Sequence, residues 1–129
     1  MDATLLRSSF DLIAPNKDEF FGVFYQTLFE KYPEVRPLFA NTNLSRQALM
    51  LADVLDTVVE GVEIGEDLTP TLQALGERHK AYGVSPEHYP MVGDALITTF
   101  QKKLGSSGIP AFQDAWTQAL TLIVQGVLS

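Results

Sequence analysis

Proline and glycine cut this chain into blocks of helical length, and inside each block the apolar residues recur every three or four positions. That spacing lays them along one stripe of a helix and does not match the alternation of a half-buried strand. The block from Asp2 to Ile13 carries Leu6, Phe10 and Ile13 on one face and is broken at Ala14-Pro15-Asn16. From Lys17 to Lys31 the stripe is Phe21, Tyr25, Leu28 and then Tyr32. Pro33 suits the first position of a short helix to Phe39, and Ala40 to Leu44 reads as a loop. A helix from near Ser45 to near Gly61 is lined by Leu51, Val54, Leu55, Val58 and Val62. Its valines favour strands, but its spacing and length do not. Glu63 to Asp67 reads as a polar loop. Thr69-Pro70 and Ser85-Pro86 each read as a cap followed by proline at the first helical position. They open one helix with Leu72, Leu75 and His79, stopped by Gly83, and another with Tyr89, Val92, Leu96 and Phe100, ending at Gly105. The last begins near Pro110 and carries Phe112, Trp116, Ala119, Ile123 and Val127. The expected fold class is all-α, with about seven helices.

At 129 residues the chain is expected to form one domain, residues 1–129. Nine basic against 16 acidic residues leave a net charge of −7. Such a surface repels phosphate backbones and anionic lipid, so neither nucleic acid nor membrane is an expected partner. With no cysteine, disulfides, zinc–thiolate sites, iron–sulfur clusters and cysteine nucleophiles are excluded. The N-terminus carries no basic-then-apolar targeting pattern, and the apolar run from Leu120 to Val127 is too short for a span. A cytoplasmic location is the expectation.

Few residues remain for chemistry. No Gly-rich phosphate loop and no nucleophile elbow is present, and Glu63, Glu66 and Asp67 read as solvated loop carboxylates. His79 stands out, because it continues the stripe of Leu68, Leu72 and Leu75 near a helix C-terminus. A buried imidazole must satisfy two nitrogens. Its Nδ1–H can reach the carbonyl of Leu75 or Gly76 one turn back, which leaves Nε2 with a lone pair fit to bind a metal. One histidine among apolar neighbours suits haem, whose porphyrin brings the other four bonds. The same pattern also reads as a core or rim histidine. Tyr25 and Gln47 are two further donors on apolar stripes, but Tyr25 also reads as a ring buried with its hydroxyl at a rim, and Gln47 as an exposed residue of a first helical turn. His88, in the first turn after Ser85-Pro86, reads as exposed.

The chain resembles the bacterial globins, both the single-domain globins and the globin part of flavohaemoglobins. The resemblance rests on Phe24-Tyr25-Gln26-Thr27-Leu28-Phe29 with Pro33-Glu34 and Leu38-Phe39, on the run Leu75 to Val84 followed by Pro86-Glu87-His88-Tyr89 and Val92-Gly93, and on Ala115-Trp116. It extends from about Leu5 to Leu128. It implies a globin fold, three helices packed over three around haem b, with His79 as the axial iron ligand. Phe39 matches the phenylalanine that packs on the haem, and Tyr25 the distal tyrosine. Gln47 suits the distal helix position, although another register would put Ser45 there. Leu51, Val54, Val84, Val92 and Leu96 would line the pocket. Arg78 and Lys80 would meet the propionates, or would simply be solvated helix charges.

Tyr89 matches a tyrosine that flavohaemoglobins pair with a late glutamate, but Leu122 to Ser129 contains none. An imidazole without a carboxylate behind it is less anionic, which favours reversible binding over peroxidase-like chemistry. The implied function is tight, reversible binding of dioxygen, with nitric oxide and carbon monoxide as further ligands. Two alternatives accompany it: a nitric oxide dioxygenase that needs an external reductase, and the haem gas-sensor domain of a longer signalling protein.

Overall fold

The computed structural model describes residues 2–81, 83–104 and 109–128, with side chains from residue 112 onward in the last stretch. Among these residues the regular structure is helical: α1 (Ala3–Ile13), α2 (Lys17–Lys31), α3 (Leu44–Ile64), α4 (Thr69–Ala81), α5 (His88–Leu104) and α6 (Ile109–Leu128). Two 3₁₀ segments, Ala14–Asn16 and Pro33–Phe39, join α1 to α2 and follow α2. The second is 3₁₀ and not α because Pro37 lies inside it and removes a donor that an α-helix would use.

Several boundaries move from their sequence expectation. The Asn43 side chain caps α3 by accepting the Arg46 N–H at 3.1 Å, and the helix starts at Leu44. It runs past Gly61 to Ile64 and ends at Gly65, whose φ of +71° is the left-handed conformation of a helix stop. Glu63 therefore belongs to α3 and not to a loop, and its carboxylate meets Arg7 of α1 at 2.6 Å. Thr69 is the first residue of α4 and not its cap; its N–H donates to the Asp67 carboxylate at 3.0 Å. Ser85-Pro86 does not open α5 directly. The Ser85 carbonyl accepts the His88 N–H at 3.0 Å in a turn, and α5 starts at His88. The expected end at Gly105 lies outside the described residues.

The apolar stripes meet in one main core. α2 packs on α3 and α5, α1 on α3 and α6, and α6 on α4 and α5. Leu6, Phe10, Phe21, Phe24, Leu28, Leu55, Phe100 and Trp116 fill the centre. Phe100 stacks on Trp116 with ring centroids 5.0 Å apart. The indole N–H donates to Ser9 Oγ at 2.7 Å, and the serine hydroxyl lies 2.7 Å from the Leu5 carbonyl, so the polar atoms of this buried pair are satisfied. A smaller cluster of Val58, Leu68, Leu72 and Val127 ties α3, α4 and α6 together at one end. Along the rest of their lengths α3 and α4 are not packed helix on helix. Among the described residues, no helix is long and apolar enough to cross a membrane.

Candidate functional site

His79 sits in the last turn of α4, half-buried. Its Nδ1 lies 2.8 Å from the Leu75 carbonyl, one of the two partners expected from the sequence. A carbonyl only accepts, so Nδ1 carries the proton and Nε2 keeps a lone pair. The Tyr89 ring stands 6.2 Å away, centroid to centroid, and burial pushes its hydroxyl pKa up. Past α4, Gly83 takes a φ of +87°, and the Val84 N–H donates back to the His79 carbonyl at 3.1 Å. The turn thus brings Val84 beside the histidine. His88 is half-buried and not exposed, and its Nδ1 accepts the Ser85 N–H at 3.0 Å. That imidazole closes a turn.

Phe39, Leu51, Val54, Val84 and Val92 are all half-buried. Other apolar residues of α3 (Ala52, Leu55 and Val59) are fully buried, so the first set keeps part of its apolar surface uncovered. Leu96 is 1% exposed and lies where α5 joins the packed core. Arg78 and Lys80 are exposed, and Lys80 pairs with Glu77 at 3.4 Å.

Tyr25 is 5% exposed on α2. Its ring meets Phe24 at 4.9 Å, Phe39 at 5.7 Å and Phe29 at 6.2 Å, centroid to centroid. Burial raises the phenol pKa well above its ordinary value, and a hydrogen bond from the Gln47 side chain opposes that only in part. The phenol is therefore neutral and keeps its proton to donate. Gln47 is half-buried, whereas Ser45 is exposed, so Gln47 is the α3 residue brought to Tyr25.

Other features were not anticipated from the sequence. An open groove of about 740 Å³ lies along α2 and the start of α3, lined by Gly22, Tyr25, Phe29, Arg36, Leu44 and Leu49, among others. Arg36 lies over the Phe29 ring at 5.1 Å. Asp94 of α5 accepts from the Tyr32 hydroxyl and pairs with Lys31, both at 2.7 Å, which holds the end of α2 against α5. The only advance signal was an acidic residue among apolar neighbours.

The residues present fit haem. Among the described residues no cluster of three or more His, Cys, Asp or Glu side chains is placed to hold a bare metal ion. A lone imidazole with an anchored Nδ1 suits a group that carries its own four nitrogens, and the half-buried apolar set suits a flat apolar ring. His79 would ligate it, and Tyr25 and Gln47 offer donors.

Comparison with known proteins agrees. The globin family model matches residues 22–127. The flavohaemoprotein of Bacillus subtilis is 25% identical over 126 residues, covering 96% of this chain and 32% of that protein. The Rhizobium meliloti flavohaemoprotein is 31% identical over 98 residues, covering 74% of this chain and 24% of that one. The chain spans about a third of the length of the Bacillus relatives it matches. A bacterial globin from Campylobacter jejuni superposes with a TM-score of 0.79 at 22% identity, covering 97% of this chain and 93% of that one. A carbene transferase engineered from a Rhodothermus marinus protein, named as a nitric oxide dioxygenase, gives a TM-score of 0.80 at 25% identity, covering 95% and 85%.

Proposed function

Because the chain belongs to the globin family and is a haem globin, we propose that it holds haem b through His79 and reversibly binds dioxygen on the side of Tyr25 and Gln47. Residues 1–129 form one globin domain in this reading. Haem, when bound, supplies an iron with one coordination position left for a diatomic gas.

The observation that carries the reading is the bond from His79 Nδ1 to the Leu75 carbonyl at 2.8 Å, which fixes the tautomer and leaves Nε2 as the ligating atom. Phe39, Leu51, Val54, Val84 and Val92 supply the apolar surface that excludes water. The neutral Tyr25 hydroxyl donates to a ligand that gains negative charge, and the Gln47 side chain beside it offers a second donor. Carbon monoxide and nitric oxide fit the same space. Arg78 and Lys80 stand at the exposed rim, where propionates would meet them.

Absorption spectra of the haem-loaded protein, ferric, ferrous and gas-bound, test the reading against His79→Ala. The wild type is expected to give distinct ferrous and gas-bound spectra that the variant loses. A chain that ignores added haemin, or a haem complex indifferent to the substitution, overturns it.

The name of the Rhodothermus marinus neighbour favours a second reading, in which nitric oxide and dioxygen become nitrate with an electron from an external reductase. Nitrate formed in step with nitric oxide loss, in the presence of a reductase and its reductant, supports it. Loss of nitric oxide without nitrate removes it.

A further inference from the structure

α4 and α6 cross closer than side chains allow, and they do so one turn before His79. A Cβ placed on Gly76 would stand 2.0 Å from the Val127 carbonyl oxygen and 2.8 Å from its carbon. Cβ atoms essentially never come within 3.0 Å of another atom, so any side chain at 76 forces the helices apart by about 1 Å. The notch is reciprocal. A Cβ on Gly126 would stand 2.5 Å from both Cβ and Cδ1 of Leu72, itself 1% exposed. The obstacles are a backbone carbonyl and a buried leucine, and neither yields as a flexible surface chain would.

We propose that Gly76 and Gly126 are positioning residues for His79, and that their crossing fixes where the imidazole stands in the cleft. This rests on His79 being the haem ligand. The carbonyl that orients the ring belongs to Leu75, so it lies in the peptide unit joining Leu75 to Gly76. The clamp and the hydrogen bond thus share one rigid plane. Beyond His79 only Lys80 and Ala81 complete α4. Moreover, α6 is the helix on which α4 is packed, while α3 touches it at the Leu68–Leu72 end. The histidine is therefore carried one turn past its main support. Metal–ligand distances hold to about 0.2 Å, so a 1 Å displacement at the crossing must appear as a tilted or weakened iron–imidazole bond.

The test is resonance Raman of the iron–imidazole stretch in the ferrous, gas-free holoprotein, with haem release to an excess of apomyoglobin measured in parallel. Gly76→Ala and Gly126→Ala are expected to displace or split the band and to speed haem release about tenfold or more, Gly76→Ala the more strongly. Two controls are expected to keep the wild-type band. In Gly93→Ala the new methyl meets nothing nearer than Leu120 Cδ1 at 3.7 Å. In Ser9→Ala the lost bond ties α1 to Trp116, about three turns along α6 from Val127. A folded Gly76→Ala holoprotein with the wild-type band overturns the proposal. So does a shift of equal size in Ser9→Ala, which would make the effect one of general stability. If Gly76→Ala fails to fold, Gly126→Ala decides by the same criterion. A wild-type spectrum without the band, or a band that survives His79→Ala, removes the ligand assignment beneath the proposal and is told apart from a failure of the clamp.

Discussion

Tyr25→Phe removes one hydroxyl and leaves the aromatic packing around it. The phenylalanine ring keeps its contacts with Phe24 at 4.9 Å and Phe39 at 5.7 Å, so the backbone of α2 has no reason to move. What is lost is a neutral donor, 5% exposed, whose proton is retained because burial raises its pKa. A hydrogen bond to a charged or partly charged group is worth about 1.5–3 kcal/mol. At 1.36 kcal/mol per tenfold, dioxygen should leave about 10- to 150-fold faster. Carbon monoxide takes on less charge and should change by less than about threefold. Gln47→Leu should act in the same direction but more weakly, because the buried Tyr25 donor remains when the half-buried Gln47 amide beside it is removed. The double variant should be less than additive, as expected for residues in one network. Stopped-flow displacement of dioxygen by carbon monoxide measures all three rates. An unchanged dioxygen rate in Tyr25→Phe, or equal acceleration of both gases, refutes the donor role.

Three further outcomes follow from the packing. Ser9→Ala strands the buried Trp116 N–H, which costs about 1–3 kcal/mol. With an unfolding entropy of about 2.1 cal/mol/K per residue over 129 residues, Tm should fall by about 4–11 °C in calorimetry, and a fall under 2 °C would show that water or another acceptor replaces the serine. Gly65→Ala places a Cβ at a φ of +71° and should cost about 1–2 kcal/mol in urea unfolding, whereas Gly93→Ala should not destabilise. Arg7 reaches Glu63 at 2.6 Å, Asp56 at 3.3 Å and Asp11 at 3.4 Å, tying α1 to α3 at the surface. Arg7→Met should lose about 1 kcal/mol or less at low salt, and the loss should shrink in 1 M NaCl.

The helices that were legible in advance are those whose signals are local. α1 and α2 begin and end where Asp2, Pro15 and Pro33 say they should. The bond from His79 to Leu75 was legible too, because both partners lie on one helix four residues apart. The end of α3 was not, since Gly61 and Gly65 both read as possible stops, and only the folded chain shows Gly61 helical against Leu68 while Gly65 turns left-handed. Proximity of Tyr25 and Gln47 came only with the family resemblance, because no spacing rule joins residues on different helices. The crossing at Gly76 and Gly126 was hidden for another reason. Inside a helix a glycine reads as a weakness, and only the partner helix turns it into room for a close approach.

The hollow between α2 and α3 offers an experimental handle. Gly22 opens onto it with nothing within 4 Å of an added Cβ, and the chain contains no cysteine. Gly22→Cys would therefore be a unique attachment point for a fluorescent dye, seated beside Tyr25 without repacking its surroundings. Emission from such a probe, quenched by a nearby porphyrin, would follow cofactor uptake and loss in real time on unmodified helices elsewhere.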